Sequence, residues 1–147
     1  MSESTAAVQT QQHTSALHHR TTSRKRVLNL ILWLFQALLA FQFAAGGWLK
    51  LSGDPAMVEM FAAIGAGQGL RYVVGGLEVV GAVGLLIPRL SGLAALGLVG
   101  MMVGAAATNV LVLGTAPWLP LGFLAVSALI AWVRWPRTTA LLGRTKR

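Results

Sequence analysis

A single carboxylate lies inside a long apolar stretch of this chain. Glu78 is the one charged residue within the four long apolar runs of the sequence, and an ionised carboxylate in hydrocarbon is costly. We therefore expect Glu78 to face the interior of a helical bundle, where it either pairs with a donor or keeps its proton. Such a group can carry a proton, bind a polar head group or form a fixed ion pair.

Other polar residues fall at a similar depth in these runs. Read as helices, three of the runs place a polar side chain about 6 to 10 Å below the same end, and two cations lie at that end. We predict an intramembrane polar pocket formed by Glu78, Gln42, Asn109, Thr108, Lys50 and Arg71. Two interpretations have equal weight: a site for a proton, a quinone head group or a small substrate, and a set of interhelical hydrogen bonds.

The apolar runs must be membrane-spanning helices. They cover residues 27–49, 72–87, 90–113 and 117–133 in a chain that is 55% hydrophobic and 11% charged, whereas soluble domains are about 25% charged. Backbone groups in lipid must bond internally, so each run is expected to be helical. The two shorter runs should extend into flanking residues or lie where the bilayer is thinner. Short links force antiparallel neighbours. The predicted fold class is an all-α membrane protein with a four-helix up-and-down bundle.

The connection between the first two spans is predicted to contain a short amphipathic helix. Asp54 is a candidate N-cap, and Pro55 suits the first helical position. The apolar residues that follow recur at the spacing of one helix face, and they are Met57, Met60, Phe61 and Ile64. We expect this helix to lie in the membrane interface.

Basic residues are distributed unevenly between the two sides of the membrane. With four spans, all of the 12 Lys and Arg residues except Lys50 and Arg71 fall on one side, which the positive-inside rule makes cytoplasmic. We therefore predict a multi-pass protein of the plasma (cytoplasmic) membrane with both termini in the cytoplasm. Residues 1–26 form a disordered basic tail and residues 134–147 a basic cytoplasmic tail. We expect the basic residues to interact with the lipid bilayer and not with nucleic acid.

Glycines indicate where helices approach closely, because they remove side-chain bulk. The second and third spans contain Gly75, Gly76, Gly81, Gly84, Gly97, Gly100 and Gly104. Packing inside the bundle is favoured over a homodimer interface, although Gly100 and Gly104 form a GxxxG pair that could serve either.

The sequence offers few redox ligands. It contains no Cys, and its three His residues lie in the N-terminal tail, at His13, His18 and His19. A thiol redox pair and a bis-His haem site within the spans are therefore excluded. We expect no metal site and no intrinsic cofactor.

Three stretches within residues 27–133 together form a family pattern. They are AAGGWLKL with Lys50, an Asp-Pro opener followed by Phe61, and GLEVVGAVGLLIPRLSGLAAL with Glu78 and Arg89. This pattern resembles the DoxX family of small four-helix membrane proteins, although relatives often carry His where this chain has Asn109. The resemblance implies a non-catalytic subunit or anchor of an oxidoreductase assembly linked to the quinone pool, in sulfur or oxidative-stress metabolism. It also implies that Lys50 and Glu78 share a pocket, that quinone is a candidate cofactor, and that Arg89 is a cytoplasmic-side anchor.

Two other functions remain open. Small proton-coupled exporters also use four helices and one intramembrane Glu, but they carry it in the first helix, whereas Glu78 is in the second. This interpretation therefore ranks below the oxidoreductase subunit. The third alternative is a structural assembly factor without a ligand of its own.

Overall fold

The computed structural model describes the backbone of residues 2–144 and the side chains of residues 26–136 and 139. Within these residues the chain is entirely helical apart from turns. The five helices are α1 (Ser2–Ser52), α2 (Pro55–Ile64), α3 (Gly67–Leu86), α4 (Ser91–Leu111) and α5 (Trp118–Arg144). The predicted all-α fold class is confirmed.

Four of the helices are long and apolar enough to cross a membrane. The candidate spans are Arg26–Ser52, Gly67–Leu86, Ser91–Leu111 and Trp118–Pro136, which confirms the four-span architecture. The second and fourth spans are longer than their apolar runs because flanking residues continue the helix, as expected. The third ends before residue 113, where the backbone turns and Gly114 takes a positive φ of 61°.

The helical backbone of α1 begins well before the first apolar run of the sequence. The helical backbone includes residues 2–26, for which composition predicted disorder. The side chains of residues 1–25 lie outside the described residues, and the disorder of the tail stays a prediction. The chain divides into two compact units, Met1–Leu34 and Phe35–Arg147, and the contacts below lie within the second.

The short helix α2 forms as its sequence indicates. Asp54 is the N-cap, with its carboxylate accepting two first-turn N–H groups at 3.1 and 3.3 Å, and Pro55 opens the helix. Gly65 ends it with a left-handed φ of 78°, a conformation that glycine adopts without strain. Phe61 is buried, and Met57, Met60 and Ile64 are half-buried, so the amphipathic face is confirmed.

The spans of the second unit pack around an apolar core. Its buried residues come from α1, α3, α4 and α5 and are Leu39, Ala40, Phe43, Ala82, Leu85, Ala95, Leu98, Met102, Ile130 and Ala131. α1 and α3 are antiparallel, because Gln36 contacts the last turn of α3 while Lys50 contacts Glu78 further towards its start. We call the two ends of the bundle the Lys50 end and the Arg89 end, after the residues that lie there.

Aromatic side chains mark both ends of the bundle. Trp48, Tyr72 and Trp118 lie toward the Lys50 end and Trp132 and Trp135 toward the Arg89 end, and each is more than half exposed. Amphipathic rings favour the level of the lipid head groups. Their positions agree with two membrane interfaces, whereas the side of the membrane that each end faces stays a prediction.

Glycines do allow close packing, but not at every predicted position. A Cβ on Gly47 would lie 2.7 Å from the carbonyl oxygen of Gly75, and a Cβ on Gly84 would lie 2.8 Å from the Cβ of Ala94. These distances are too short for real side chains, so α1 contacts α3, and α3 contacts α4, through glycine. By contrast, Gly100 is exposed and a Cβ there would meet nothing within 4 Å. The same holds for Gly97 and Gly104, so the preferred interpretation of internal packing is wrong for these residues of α4.

We expect Gly75→Ala to destabilise the bundle, because the new Cβ would lie 2.9 Å from the Lys50 Cβ and 3.1 Å from the Gly47 carbonyl oxygen. Overpacking of this kind lowers the free energy of unfolding by about 1 to 3 kcal/mol. The matched control is Gly76→Ala, where nothing lies within 4 Å of the new Cβ. SDS-induced unfolding of the purified protein, followed by circular dichroism, measures both, and equal stability of the two variants would contradict the described contact.

Candidate functional site

Glu78 and Lys50 form an ion pair between α3 and α1. Lys50 Nζ lies 2.8 Å from Glu78 Oε2 and 3.1 Å from Oε1, so one ammonium group holds both carboxylate oxygens. The two side chains are only 13% and 8% exposed, Lys50 first. The carboxylate that the sequence places inside a span is therefore neutralised within the protein, and Lys50 is the donor.

The ammonium group of Lys50 turns back into the bundle. Lysines at the ends of membrane helices usually extend toward water, but Lys50 Nζ also lies 3.4 Å from the carbonyl oxygen of Gly46, one turn earlier in α1. Its three N–H groups thus face three acceptors, two on Glu78 and one on Gly46. The glycine contact between Gly47 and Gly75 brings the two helices near enough for this geometry.

Arg71 holds the end of α1 that carries Lys50. Arg71 Nη1 donates to the carbonyl oxygen of Lys50, which lies in the last turn of α1, where carbonyl groups lack partners within the helix. The guanidinium group also lies 4.3 Å above the ring of Tyr72. A cation is favourable at this terminus, because the helix dipole is negative there. Arg71 therefore acts on the ion pair through the backbone of Lys50.

The amide of Gln68 connects the site to α2. Its Oε1 accepts from Arg71 Nε at 2.7 Å, and its Nε2 donates to the carbonyl oxygen of Val58 in α2 at 3.1 Å. Asp54 adds a second link, because its N–H donates to the carbonyl oxygen of Leu49 at 3.1 Å. Helix α2 is thus joined by hydrogen bonds to the two helices that form the ion pair.

Three of the predicted pocket residues do not join this arrangement. Gln42 is exposed, and Thr108 Oγ1 donates to the carbonyl oxygen of Gly104 in its own helix at 2.9 Å. Among residues 26–136, no hydrogen bond links the side chains of Gln42, Thr108 or Asn109 to Glu78. Depth along a helix does not determine the direction in which a side chain points around the helix axis. The buried face of α1 carries Leu39, Phe43 and Gly47, and Gln42 lies beside that face.

A second buried polar cluster was missed by the sequence analysis. Gln36 is fully buried, and its Nε2 donates to the carbonyl oxygen of Leu85 in the last turn of α3. Arg134, which is 3% exposed, donates from Nη2 to Gln36 Oε1 at 3.3 Å. We had assigned Arg134 only to the cytoplasmic tail. The available signal was Gln36 itself, because it lies two turns before Phe43 on the face of α1 that packs inward.

Arg89, the predicted cytoplasmic-side anchor, lies in the turn between α3 and α4. It is exposed, and its side chain forms no hydrogen bond or ion pair with any part of the chain that the structure describes. Its position at a bundle end agrees with an anchor at the membrane surface. The cytoplasmic location of that end stays a prediction.

Four apolar spans that bury a Lys–Glu pair define an integral, multi-pass membrane protein. The model of the DoxX-like family matches residues 34–134, about two thirds of the chain, and this range includes both polar clusters. The chain therefore belongs to the DoxX-like family. No curated protein and no solved structure matches the chain.

We expect Lys50→Met to lower the free energy of unfolding by about 3 to 5 kcal/mol, because it leaves the buried carboxylate of Glu78 without its cation. The double variant Lys50→Met/Glu78→Leu should recover most of this loss, since no buried charge remains. SDS unfolding of wild type, both single variants and the double variant gives the coupling energy. Additive single effects would show that the pair contributes no interaction energy.

Arg71→Gln should loosen α2 and the end of α1, because the carbonyl group of Lys50 and the amide of Gln68 both lose their guanidinium donor. Hydrogen bonds to charged groups contribute about 1.5 to 3 kcal/mol, so amide exchange in residues 49–64 should accelerate. Exchange followed by mass spectrometry measures this, with Arg89→Gln as the exposed control. The described links would be contradicted if both variants exchanged like wild type.

Proposed function

We propose that this chain is a non-catalytic membrane subunit that anchors an oxidoreductase assembly at the quinone pool. The closed ion pair of Lys50 and Glu78 is the observation that carries the proposal. Both carboxylate oxygens are held, and the ammonium group has three acceptors for its three N–H groups. Such a pair fixes the position of α1 relative to α3. A fixed bundle suits a subunit that anchors a partner protein in the membrane.

The same pair weighs against a proton-coupled transporter. A transporter carboxylate must release its partner and be reached in turn from the two sides of the membrane. Here the release of Glu78 would leave two buried charges apart, and breaking a buried pair costs about 3 to 5 kcal/mol. The Gly47–Gly75 contact and the Arg71 cap also hold the surrounding backbone in place.

In this proposal the oxidoreductase partner, and not this chain, carries out the redox reaction. The chain has no Cys, and a quinone carbonyl at the ion pair would have to compete with Glu78 for the N–H groups of Lys50. We therefore propose that quinone binds in the assembly rather than at this pair. The contribution of the chain is to hold that assembly in the bilayer, where quinone is dissolved. The resemblance to the DoxX family supports the link to oxidoreductases.

We also propose that the Arg89 end faces the cytoplasm and that the chain belongs to the plasma membrane. Arg89 and Arg134 lie toward this end, and basic residues favour the cytoplasmic side. A soluble partner would then meet this end.

The test is to purify the tagged full-length chain from its native membranes in mild detergent and to identify the proteins that co-purify. We expect an oxidoreductase in stoichiometric amount with wild type. Less of the partner should co-purify with Lys50→Met, because this variant destabilises the bundle. The amount should return to the wild-type level with Lys50→Met/Glu78→Leu, because a structural contact between helices needs no proton transfer. Gly76→Ala is the control that should leave the yield unchanged.

Other results would contradict the proposal. A chain that purifies alone, combined with proton-driven solute flux in vesicles that both Glu78→Gln and the double variant abolish, would establish a transporter. A partner that is present in small amount and only with incomplete assemblies would establish an assembly factor.

A further inference from the structure

An apolar groove lies between α3 and α4 on the surface of the bundle. Its volume is about 650 Å³, and it extends from Leu77 and Met101 at one end to Ile87 and Leu90 at the other. Apolar residues and glycines line it, and Glu78 is not among them because that side chain turns toward α1. The groove is therefore separate from the ion pair.

Glycines on both helices shape this groove. Its floor forms where α3 and α4 touch, since a Cβ on Gly81 would lie 2.8 Å from Leu98 Cδ2 and a Cβ on Gly84 would lie 2.8 Å from the Ala94 Cβ. Gly97 lines the groove from α4, and a Cβ there would meet nothing within 4 Å. From residue 77 to residue 87 the groove follows α3 for about 15 Å, which suits a chain-like apolar group.

A cation lies at one end of the groove. Arg89 follows Ile87 by two residues and precedes the groove residue Leu90 directly. It is exposed and has no ion-pair partner among residues 26–136. The backbone N–H groups at the start of α4 lie beside it, and Leu90 at the N-cap offers them no side-chain acceptor. Positive charge from Arg89 and from the helix dipole therefore meets the apolar groove at the Arg89 end.

We propose that the groove binds an anionic phospholipid, with an acyl chain between α3 and α4 and the phosphate group on Arg89. An apolar groove that ends at an unpaired guanidinium group matches an amphiphile with a negative head group, and arginine binds phosphate well. The isoprenoid tail of a quinone lacks the anion. A second copy of the chain also offers no carboxylate near Arg89. The carboxylates of the described residues are those of Asp54, Glu59 and Glu78, and all three lie toward the Lys50 end.

The test compares phosphatidylglycerol with phosphatidylcholine of the same acyl chains on the purified full-length protein by native mass spectrometry. Wild type should retain one phosphatidylglycerol per chain, at least about fivefold better than phosphatidylcholine, as expected for one basic residue at an anionic lipid. Arg89→Gln should remove this preference, whereas Arg137→Gln, which deletes the same charge in the C-terminal segment, should keep it.

A second pair of variants tests the groove itself. Gly97→Leu places a side chain in the groove at a position where an added Cβ would meet nothing within 4 Å, and it should reduce retention of both lipids. Gly100→Leu is the matched control, because it adds the same side chain to open space on the same helix outside the groove, and it should leave retention unchanged. Melting temperatures of all variants confirm that they are folded.

Three results would overturn the proposal. The first is equal retention of the two phospholipids by wild type, a preference for phosphatidylglycerol that survives Arg89→Gln, or lipid retention that Gly97→Leu leaves unchanged. The second is retention of quinone in place of phospholipid, unaffected by Arg89→Gln. The third is a wild-type dimer that Gly97→Leu converts to a monomer, which would assign the groove to a second copy.

Discussion

The structure depends on the neutralisation of one buried carboxylate. Glu78 lies well within a membrane span, where water cannot solvate its charge, so the protein must supply a cation at hydrogen-bond distance. Lys50 does this from the end of α1 by turning inward, and both carboxylate oxygens are engaged. The helices can come close enough only because Gly47 and Gly75 lack side chains. The glycine contact, the ion pair and the position of the α1 terminus therefore depend on one another.

Both polar clusters also satisfy the ends of helices. The last carbonyl groups of a helix have no partners within it, and a low-polarity environment makes an unsatisfied group costly. At the Lys50 end, Arg71 bonds the carbonyl oxygen of Lys50 directly. At the Arg89 end, Gln36 bonds the carbonyl oxygen of Leu85, and Arg134 in turn holds Gln36. A cationic side chain thus supports a helix terminus at each end of the bundle, Arg71 by a direct bond and Arg134 through the amide of Gln36.

Sequence patterns predicted the elements better than the site. Apolar length identified the four spans, and the Asp54 cap with its apolar spacing identified α2, because these signals are local. The partner of Glu78 was among the candidates, since charge must be paired. The rotation of each helix was not predictable from depth, so Gln42 was included although it is exposed, and Gln36 was missed although it is fully buried. Gly100 shows the same limit, because one sequence contains no information about which face of α4 is occupied.

The ion pair also bears on the order in which the protein can form. Lys50 and Glu78 are 28 residues apart and belong to consecutive spans, so the hairpin of α1, α2 and α3 contains both charges. This hairpin can enter the bilayer with its charges already joined, before α4 and α5 have been synthesised. Contacts between neighbours in sequence form with little loss of chain entropy. Because Lys50 and Glu78 lie in the first two spans, the nascent chain can insert both without leaving one charge unpaired in lipid.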